Sequence, residues 1–190
     1  MCCRILLPIF VIMIIMPLTF SSSFLHQHWL KLSPMPNTLL AQPWREWLLD
    51  SGSLTQNLKN LAPNRFSVKV LHTGFGRASL SEAHILDIPF REQIYIREVA
   101  LCIDNAPQIF ARSVIPRSTL TGSERQLLFL RDKPLGEFLF KHKHMSRGKI
   151  EVKHGLINDR SSWARRSIFN VNHKPLLVSE FFLPSLFLIK

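Results

Sequence analysis

The stretch REQIYIREVALCIDNAPQIFARSVIP, residues 91–116, constrains the fold more than any other part of the chain. Two apolar runs of strand length, 93–103 and 108–115, flank the residues DNAP, and this combination of Asp, Asn and Pro is typical of a tight turn. The sequence therefore predicts an antiparallel β-hairpin at this position.

Alternation along the first of these strands places Arg97 on the same side as Val99 and Leu101. A guanidinium inside an apolar layer is costly unless an anion meets it there. The last apolar segment, KPLLVSEFFLP, has the same anomaly, because Glu180 shares one side with Val178. Three explanations remain open at this point: the two residues form a buried salt bridge, one of them faces solvent near a strand end, or both contact a bound ligand.

Further strands and helices follow from periodicity. Strand-like patterns occur in RFSVKVLHTGFGR, KIEVKHG, WARRSIFNVN and PLLVSEFFLP, so the sequence predicts six strands in all. Helices are predicted for PWREWLLD, for SLTQNLKNL after the capping pair Ser53 and Gln56, and for both halves of LTGSERQLLFLRDKPLGEFLFKH. The second half of the last segment begins at Pro134, and the first half has a capping pair in Thr121 and Glu124.

The arrangement of these elements indicates the fold class. Strands joined by short connections, with helices clustered rather than alternating with strands, predict an α+β domain with a mainly antiparallel sheet and the helices on one side. We expect this domain to cover residues 44–190, after an apolar N-terminal segment (1–23) and a linker (24–43). The apolar run of the segment is shorter than a membrane-spanning helix needs. It is a signal or anchor, an apolar structural element, or the product of a start site placed too early.

Charge and cysteine content exclude several classes of function. A net charge of +11, from 24 Lys and Arg against 13 Asp and Glu, attracts anions in general. The basic clusters 141–149 and 160–166 carry no nucleic-acid-binding motif, so we expect no nucleic-acid partner. The odd set Cys2, Cys3 and Cys102 indicates neither a disulfide framework nor a cysteine zinc site, and a reducing compartment is expected.

The eight histidines do not predict a metal site. The pairs His26/His28 and His142/His144 could place two ring nitrogens on one face of a strand, but neither has a nearby third ligand. Lysines surround the second pair and would repel a cation. We therefore expect solvated loop histidines and no metal ligands.

Several motifs together resemble the chorismate lyase family. They are SLT, REVALCIDNAPQIFARSVIP with STL after it, KPLGEFLF, WARRS and KPLLVSEFFLP, and they occur in order between residues 44 and 184. The resemblance implies a six-stranded antiparallel sheet with helical flaps over a buried ligand site. It also implies a lyase without a cofactor, which eliminates pyruvate from chorismate to give 4-hydroxybenzoate at the head of ubiquinone biosynthesis.

The resemblance also implies roles for particular residues. Arg97 is expected to bind the ring carboxylate and Glu180 the oxygen at the opposite end of the ring, and both are taken as catalytic. Leu54 and Leu135 are expected to line the substrate site. Glu180 acts either as a general acid or as an orienting hydrogen-bond acceptor, and the sequence does not separate these roles.

Other expectations concern the surroundings of the site. Lys174 is a candidate for a second carboxylate contact, and one of Arg165 and Arg166, which alternate along their strand, is a candidate contributor to an anion-attracting field. We expect a cytoplasmic monomer without a stable membrane partner. The alternative is an aromatic-acid sensor domain of the same fold without catalysis, but residues 1–43 have no room for the DNA-binding domain of such regulators.

Overall fold

The computed structural model describes residues 28–31, 42–157 and 159–189. Its strands are β1 (Leu30–Lys31), β2 (Phe66–Arg77), β3 (Gln93–Ile103), β4 (Ala106–Pro116), β5 (Met145–Arg147), β6 (Glu151–Ile157), β7 (Arg160–Val171) and β8 (Lys174–Phe182). Its α-helices are α1 (Trp44–Leu49), α2 (Leu54–Leu61), α3 (Leu80–Leu86) and α4 (Leu135–Lys141). A first 3₁₀ helix spans Gly122–Phe129 and a second spans Pro184–Leu188.

All strands belong to one antiparallel sheet in the order β1-β6-β7-β8-β4-β3-β2, with β5 paired to the end of β7. The prediction of an α+β domain with a mainly antiparallel sheet is confirmed. The six predicted strands are the long ones, β2, β3, β4, β6, β7 and β8. The short strands β1 and β5 were not predicted, because two or three residues are too few to show alternation.

Two-residue turns fix the register of the central strands. The predicted hairpin is β3 and β4, and Asp104 and Asn105 between them both have positive φ, as a type I′ turn requires. Asn172 and His173 make the equivalent turn between β7 and β8. These turns set which side of each strand faces the helices.

The face of the sheet that carries Val99 and Leu101 is covered by α1, α2, α4 and both 3₁₀ helices. Leu48 of α1 and Leu58 of α2 are fully buried in a cluster with residues of β3, β4 and β8. Leu139 of α4 and Leu127 of the first 3₁₀ helix are buried in a second cluster on this face. Burying one such leucine contributes about 1.5–3 kcal/mol, so this packing holds the helices over the sheet.

The opposite face of the sheet carries α3, a helix that was not predicted. A complete capping box starts it, because the Ser79 hydroxyl accepts from the Glu82 N–H and the Glu82 carboxylate accepts from the Ser79 N–H. Ala83 and Leu86 pack on this face against apolar residues of β3, β4 and β8. Glu82 also accepts two hydrogen bonds from Arg112 of β4, which fixes α3 to the sheet.

The predicted capping pair Thr121 and Glu124 is wrong. The segment forms a 3₁₀ helix, and the Thr121 side chain makes no capping hydrogen bond to it. Glu124 is 1% exposed and instead accepts hydrogen bonds from Lys174, Asn172 and Ser123. The ion pair across to β8 therefore outweighs the local capping geometry and ties this helix to the β7–β8 turn.

Two findings concern the N-terminal part of the chain. The apolar segment 1–23 lies outside the described residues. Within the predicted linker 24–43, β1 joins the sheet beside β6, and Trp29 packs on Phe181 of β8. Among the helices that the structure describes, none has the length and apolar character to cross a membrane.

We predict that stability falls in acid through Glu124. Burial alone would raise the pKa of its carboxyl group, but the hydrogen bonds from Lys174, Ser123 and Asn172 outweigh burial and lower the pKa to about 2. The ionised form therefore stabilises the fold above the ordinary pKa of 4.5, and this contribution is lost as pH falls toward 2. The free energy of unfolding, measured by urea denaturation, should drop over this range by on the order of 2 kcal/mol through this group.

Glu124→Gln should show a shallower fall in unfolding free energy between pH 5 and pH 2 than the parent chain. Glu46→Gln is the control, because Glu46 is exposed and forms no ion pair with any described residue. An equal slope in the parent and the Glu124→Gln variant would contradict this assignment.

Candidate active site

A cavity lies between the sheet and the first turns of α2 and α4. Its walls are apolar, with Leu54, Val99, Leu101, Leu135, Leu139, Phe140, Phe169 and Val178, while small residues (Gly52, Ala111, Ser113 and Gly136) leave the space. The cavity is narrow, with a volume of about 50 Å³. Three arginines and one glutamate also face it: Arg97, Arg147, Arg165 and Glu180.

The two covering helices touch directly above this cavity. A methyl group built on Gly136 at the start of α4 would lie 3.3 Å from Oγ1 of Thr55 in α2. Lys59 of α2 and Glu137 of α4 form an ion pair further along the helices. The close approach that Gly136 permits therefore lets α2 and α4 form a continuous cover.

Arg97 reaches the cavity from β3 and is 2% exposed. One terminal nitrogen donates to the carbonyl oxygens of Arg131 and Lys133, both at 2.9 Å. Its Nε is buried without a hydrogen-bond partner among the described residues. Burial lowers the pKa of Arg97, with weaker opposing effects from Tyr95 and Asp132. The guanidinium is thus a buried cation that the protein satisfies only in part.

Glu180 does not pair with Arg97. Its Oε2 accepts from Nε of Arg165 at 2.5 Å, and the two residues lie opposite each other on β8 and β7. No described residue donates a hydrogen bond to the other carboxylate oxygen, Oε1. The interpretation in which Arg97 and Glu180 form a buried salt bridge is therefore wrong. Glu180 pairs with Arg165, and Arg97 has no carboxylate within 4 Å in the described part of the chain.

Arg165 is occupied by the protein itself. It is 1% exposed, and one terminal nitrogen donates to the carbonyl oxygens of Trp47 and Asp50, both at 2.7 Å. These carbonyls lie at the C-terminal end of α1. Since cations are favoured at that end of a helix, Arg165 both caps α1 and holds Glu180 in place.

The sheet register sets the distance between Arg97 and Glu180. Arg97 pairs with Ser113 of β4, whereas Glu180 pairs with Ala111 on the other side of β4. The two residues are therefore two strands apart and offset by two positions, which places their Cα atoms about 12 Å from each other. Their side chains point into one cavity from its two ends, and the space between them is walled by aliphatic groups.

The structure brings together the four residues that the sequence nominated for the site, Arg97, Glu180, Leu54 and Leu135. Leu54 and Leu135 are the first residues of α2 and α4. Lys174 is not among them: it binds Glu124 and the carbonyl oxygen of Thr121 away from the cavity. The expectation that Lys174 contacts a carboxylate of the substrate is wrong, because Lys174 is already paired with the buried carboxylate of Glu124.

Alternation does separate the two arginines of WARRS. Arg165 lines the cavity, while Arg166 lies on the opposite face and binds Glu151 and Ser81. Arg147, which also lines the cavity, was not predicted. It belongs to the three-residue strand β5, where the sequence shows no alternation that could have indicated its direction. No group of three or more potential metal ligands occurs in the described residues.

Comparisons with known proteins agree with these observations. The family model described as Chorismate lyase matches residues 26–189. A probable chorismate pyruvate-lyase from Marinobacter nauticus is 40% identical over 76% of this chain and 78% of its own length. The chorismate pyruvate-lyase of Proteus mirabilis is 34% identical over 83% and 89%, respectively.

A solved structure is related much more distantly. A GntR-family transcriptional regulator from Bacillus cereus aligns with a TM-score of 0.49 and 14% identity, over 64% of this chain and 94% of that one. A likeness at this level says nothing about activity. The family model and the two pyruvate-lyases, in contrast, each cover most of the sequence, and on these matches the chain belongs to the chorismate lyase family.

Proposed function

We propose that this protein eliminates pyruvate from chorismate and releases 4-hydroxybenzoate, the first step of ubiquinone biosynthesis. The observation that carries the proposal is Arg97: a buried cation without a carboxylate partner in the described chain, at one end of an apolar cavity with Glu180 at the other. A ring acid with a carboxylate at one end and a hydroxyl group at the other would pair with Arg97 and with Glu180 at the same time.

In the proposed complex, Arg97 binds the ring carboxylate. The buried Nε gains an acceptor there, and a carboxylate can accept two parallel hydrogen bonds from one guanidinium. Leu54, Leu135, Val99 and Leu101 pack against the ring and exclude water. Because the carbonyls of Arg131 and Lys133 fix the guanidinium, little rearrangement is needed when the ligand arrives.

Glu180 contacts the ring hydroxyl at the far end through Oε1. The bond from Arg165 to Oε2 keeps the carboxylate in one orientation and leaves Oε1 for the ligand. Oε1 is therefore the acceptor that remains for the ring hydroxyl, which donates the hydrogen bond. This arrangement supports the orienting role for Glu180 over the role of general acid.

The elimination follows from this placement. The bond between the ring carbon and the ether oxygen breaks, its electron pair leaves with the enolpyruvyl group, and the neighbouring ring carbon that bears the hydroxyl loses its proton. The ring becomes aromatic, and the released enolpyruvate takes up a proton at its methylene carbon to become pyruvate. Aromatisation supplies the driving force, so the protein contributes orientation and charge stabilisation and needs neither a nucleophile nor a cofactor.

We also propose a location, an oligomeric state and a domain organisation for this enzyme. Chorismate is a cytoplasmic metabolite, so we propose a cytoplasmic enzyme that acts as a monomer. We propose one catalytic domain, preceded by the apolar segment 1–23. Because β1 and Trp29 pack on the sheet, experiments should use the full chain rather than a protein that begins at the predicted domain boundary, residue 44.

The direct test of the function is an assay of the purified full chain with chorismate. Formation of equal amounts of 4-hydroxybenzoate and pyruvate, separated by chromatography, is expected. Binding of chorismate or 4-hydroxybenzoate without turnover would instead favour a sensor domain.

The first prediction of this proposal concerns Arg97. Arg97→Ala should lower kcat/KM for chorismate at least 100-fold, because the substrate carboxylate loses a charged and bidentate partner. Arg97→Lys keeps the charge but not the fork of donors, and its loss should be intermediate. Steady-state kinetics measure both, with Arg125→Ala, an exposed arginine outside the site, as the control.

Thermal unfolding of the same variants separates binding from stability. If Arg97→Ala lost its folded structure while Arg125→Ala kept it, Arg97 would have a structural role instead.

The second prediction concerns Glu180. In an orienting role, Glu180→Gln retains an acceptor oxygen and should lose about 1.5–3 kcal/mol of transition-state stabilisation, leaving measurable turnover. A general acid would cost roughly 10²–10⁴-fold, and the parent rate would fall as pH rises through its pKa. Single-turnover kinetics over a range of pH distinguish the two. A loss of more than a thousandfold, with unchanged ligand affinity and an intact fold, would contradict the orienting role.

A further inference from the structure

We infer that Arg147 binds the second carboxylate of the substrate, the one on the enolpyruvyl side chain. The inference rests on the proposed function, because it assigns a further substrate contact to the same cavity. It gives the three polar groups of the substrate three separate partners: the ring carboxylate at Arg97, the ring hydroxyl at Glu180 and the side-chain carboxylate at Arg147.

The first support is the position of Arg147 in the sheet. Its strand, β5, pairs with β7, and Arg147 lies opposite Phe169, whose ring also lines the cavity. Across the sheet, the strands that follow β3 with Arg97 are β4, β8 with Glu180, β7 and then β5. Arg97 and Arg147 therefore approach the cavity from opposite flanks, with Glu180 between them.

The second support is that Arg147 is held in place. Its guanidinium lies over the Phe169 ring, 5.1 Å from the ring centre, and Nε donates to the Ser167 hydroxyl at 3.1 Å. One terminal nitrogen donates to the carbonyl oxygen of Asp50 at 3.2 Å. These contacts fix the plane of the group, which is the preorganisation that carboxylate recognition favours.

The third support is the absence of a counter-ion. Within the ranges 28–31, 42–157 and 159–189, no carboxylate lies within 4 Å of Arg147, and its second terminal nitrogen donates no hydrogen bond to any of these residues. Burial lowers the pKa of Arg147, and the neighbouring cation of Arg165 lowers it further, while the carboxylates of Glu180 and Asp50, neither within 4 Å, oppose these effects without reversing them. A half-buried arginine beside another arginine is favourable only when an anion joins them.

The fourth support is the charge of the cavity as a whole. Arg165 is neutralised by Glu180, so Arg97 and Arg147 leave an excess of two positive charges among the described lining residues. Chorismate carries two carboxylates, and 4-hydroxybenzoate carries one. Charge balance therefore favours a dianion over a ring acid with one carboxylate, and Arg147 is the cation that the product leaves unmatched.

The shape of the substrate agrees with this assignment. Its side chain is attached to the ring carbon next to the one that bears the hydroxyl, so the second carboxylate lies beside the Glu180 end and off the axis from Arg97. Arg147 occupies that flank, because it pairs with Phe169, and Phe169 lies two positions along β7 from Ser167, which is level with Val178 of β8. A cation there also stabilises the negative charge that the enolpyruvyl group carries as it leaves.

The experiment compares ligands with one and two carboxylates. The full-length parent chain, Arg147→Gln and the control Arg125→Gln are titrated by calorimetry with 4-hydroxybenzoate and with 3-(carboxymethoxy)-4-hydroxybenzoate, a stable dicarboxylate. Arg147→Gln should weaken binding of the dicarboxylate about 10- to 100-fold and binding of 4-hydroxybenzoate less than about threefold. The control should change neither.

Equal weakening of both ligands, or no change for either, would overturn the inference. Arg147→Lys is included because loss of the Asp50 and Ser167 contacts could impair folding of the Gln variant. It retains the cation, so it should still bind the dicarboxylate more tightly than Arg147→Gln does, and an Arg147→Lys protein that lost affinity for both ligands equally would count against the assignment.

Turnover of chorismate by the parent chain is measured alongside. Absence of 4-hydroxybenzoate would overturn the proposed function, while the calorimetric comparison would still decide whether Arg147 recognises a second carboxylate. Turnover in the parent with an unchanged KM for chorismate in Arg147→Gln would leave the function intact and exclude the role of Arg147.

Discussion

The hydrogen bonds of Arg165 connect the sheet to the helices that cover it. This side chain is among the largest that are fully buried, and its partners come from three places: Glu180 on β8, the carbonyl of Trp47 in α1 and the carbonyl of Asp50 before α2. A buried guanidinium is tolerated only when its charge and donors are met. The position of α1, the path into α2 and the orientation of Glu180 are therefore fixed by one group.

The other two arginines that line the cavity differ from Arg165, because their charges are not neutralised by the protein. Arg97 and Arg147 are held by carbonyl, hydroxyl and ring contacts but have no carboxylate partner within the described chain. Keeping such cations out of water costs stability in the free protein, and a bound dianion recovers it. Arg165 thus stabilises the fold, and we assign the other two arginines to ligand binding.

Much of this arrangement could be read from the sequence. The β3–β4 hairpin followed from its turn residues. Period-two alternation grouped Arg97 with Val99 and Leu101, and Glu180 with Val178, but it did not show which side of each strand the helices cover. Alternation reports which face a side chain occupies, but not which neighbour it meets across the sheet. For that reason the sequence left the partner of Glu180 open, and the choice of Arg165 required the register of β7 against β8.

Other features depend on long-range contacts that leave little trace in a local pattern. Arg147 belongs to a strand of three residues whose direction is set by pairing with β7. Glu124 has the spacing of a capping residue, yet a lysine 50 positions later draws it inward. Helix α3 does carry a local signal, the Ser79 and Glu82 capping box, which could have been found between the strands β2 and β3.

A crystal structure of the full chain with 4-hydroxybenzoate tests the central claim most directly. We expect the ligand carboxylate at hydrogen-bonding distance from Arg97, including its buried Nε, and the ligand hydroxyl at Oε1 of Glu180, with the Arg165–Glu180 pair intact. A ligand bound in the reverse orientation, with its carboxylate at Arg147 or Arg165, or bound outside this cavity, would contradict it.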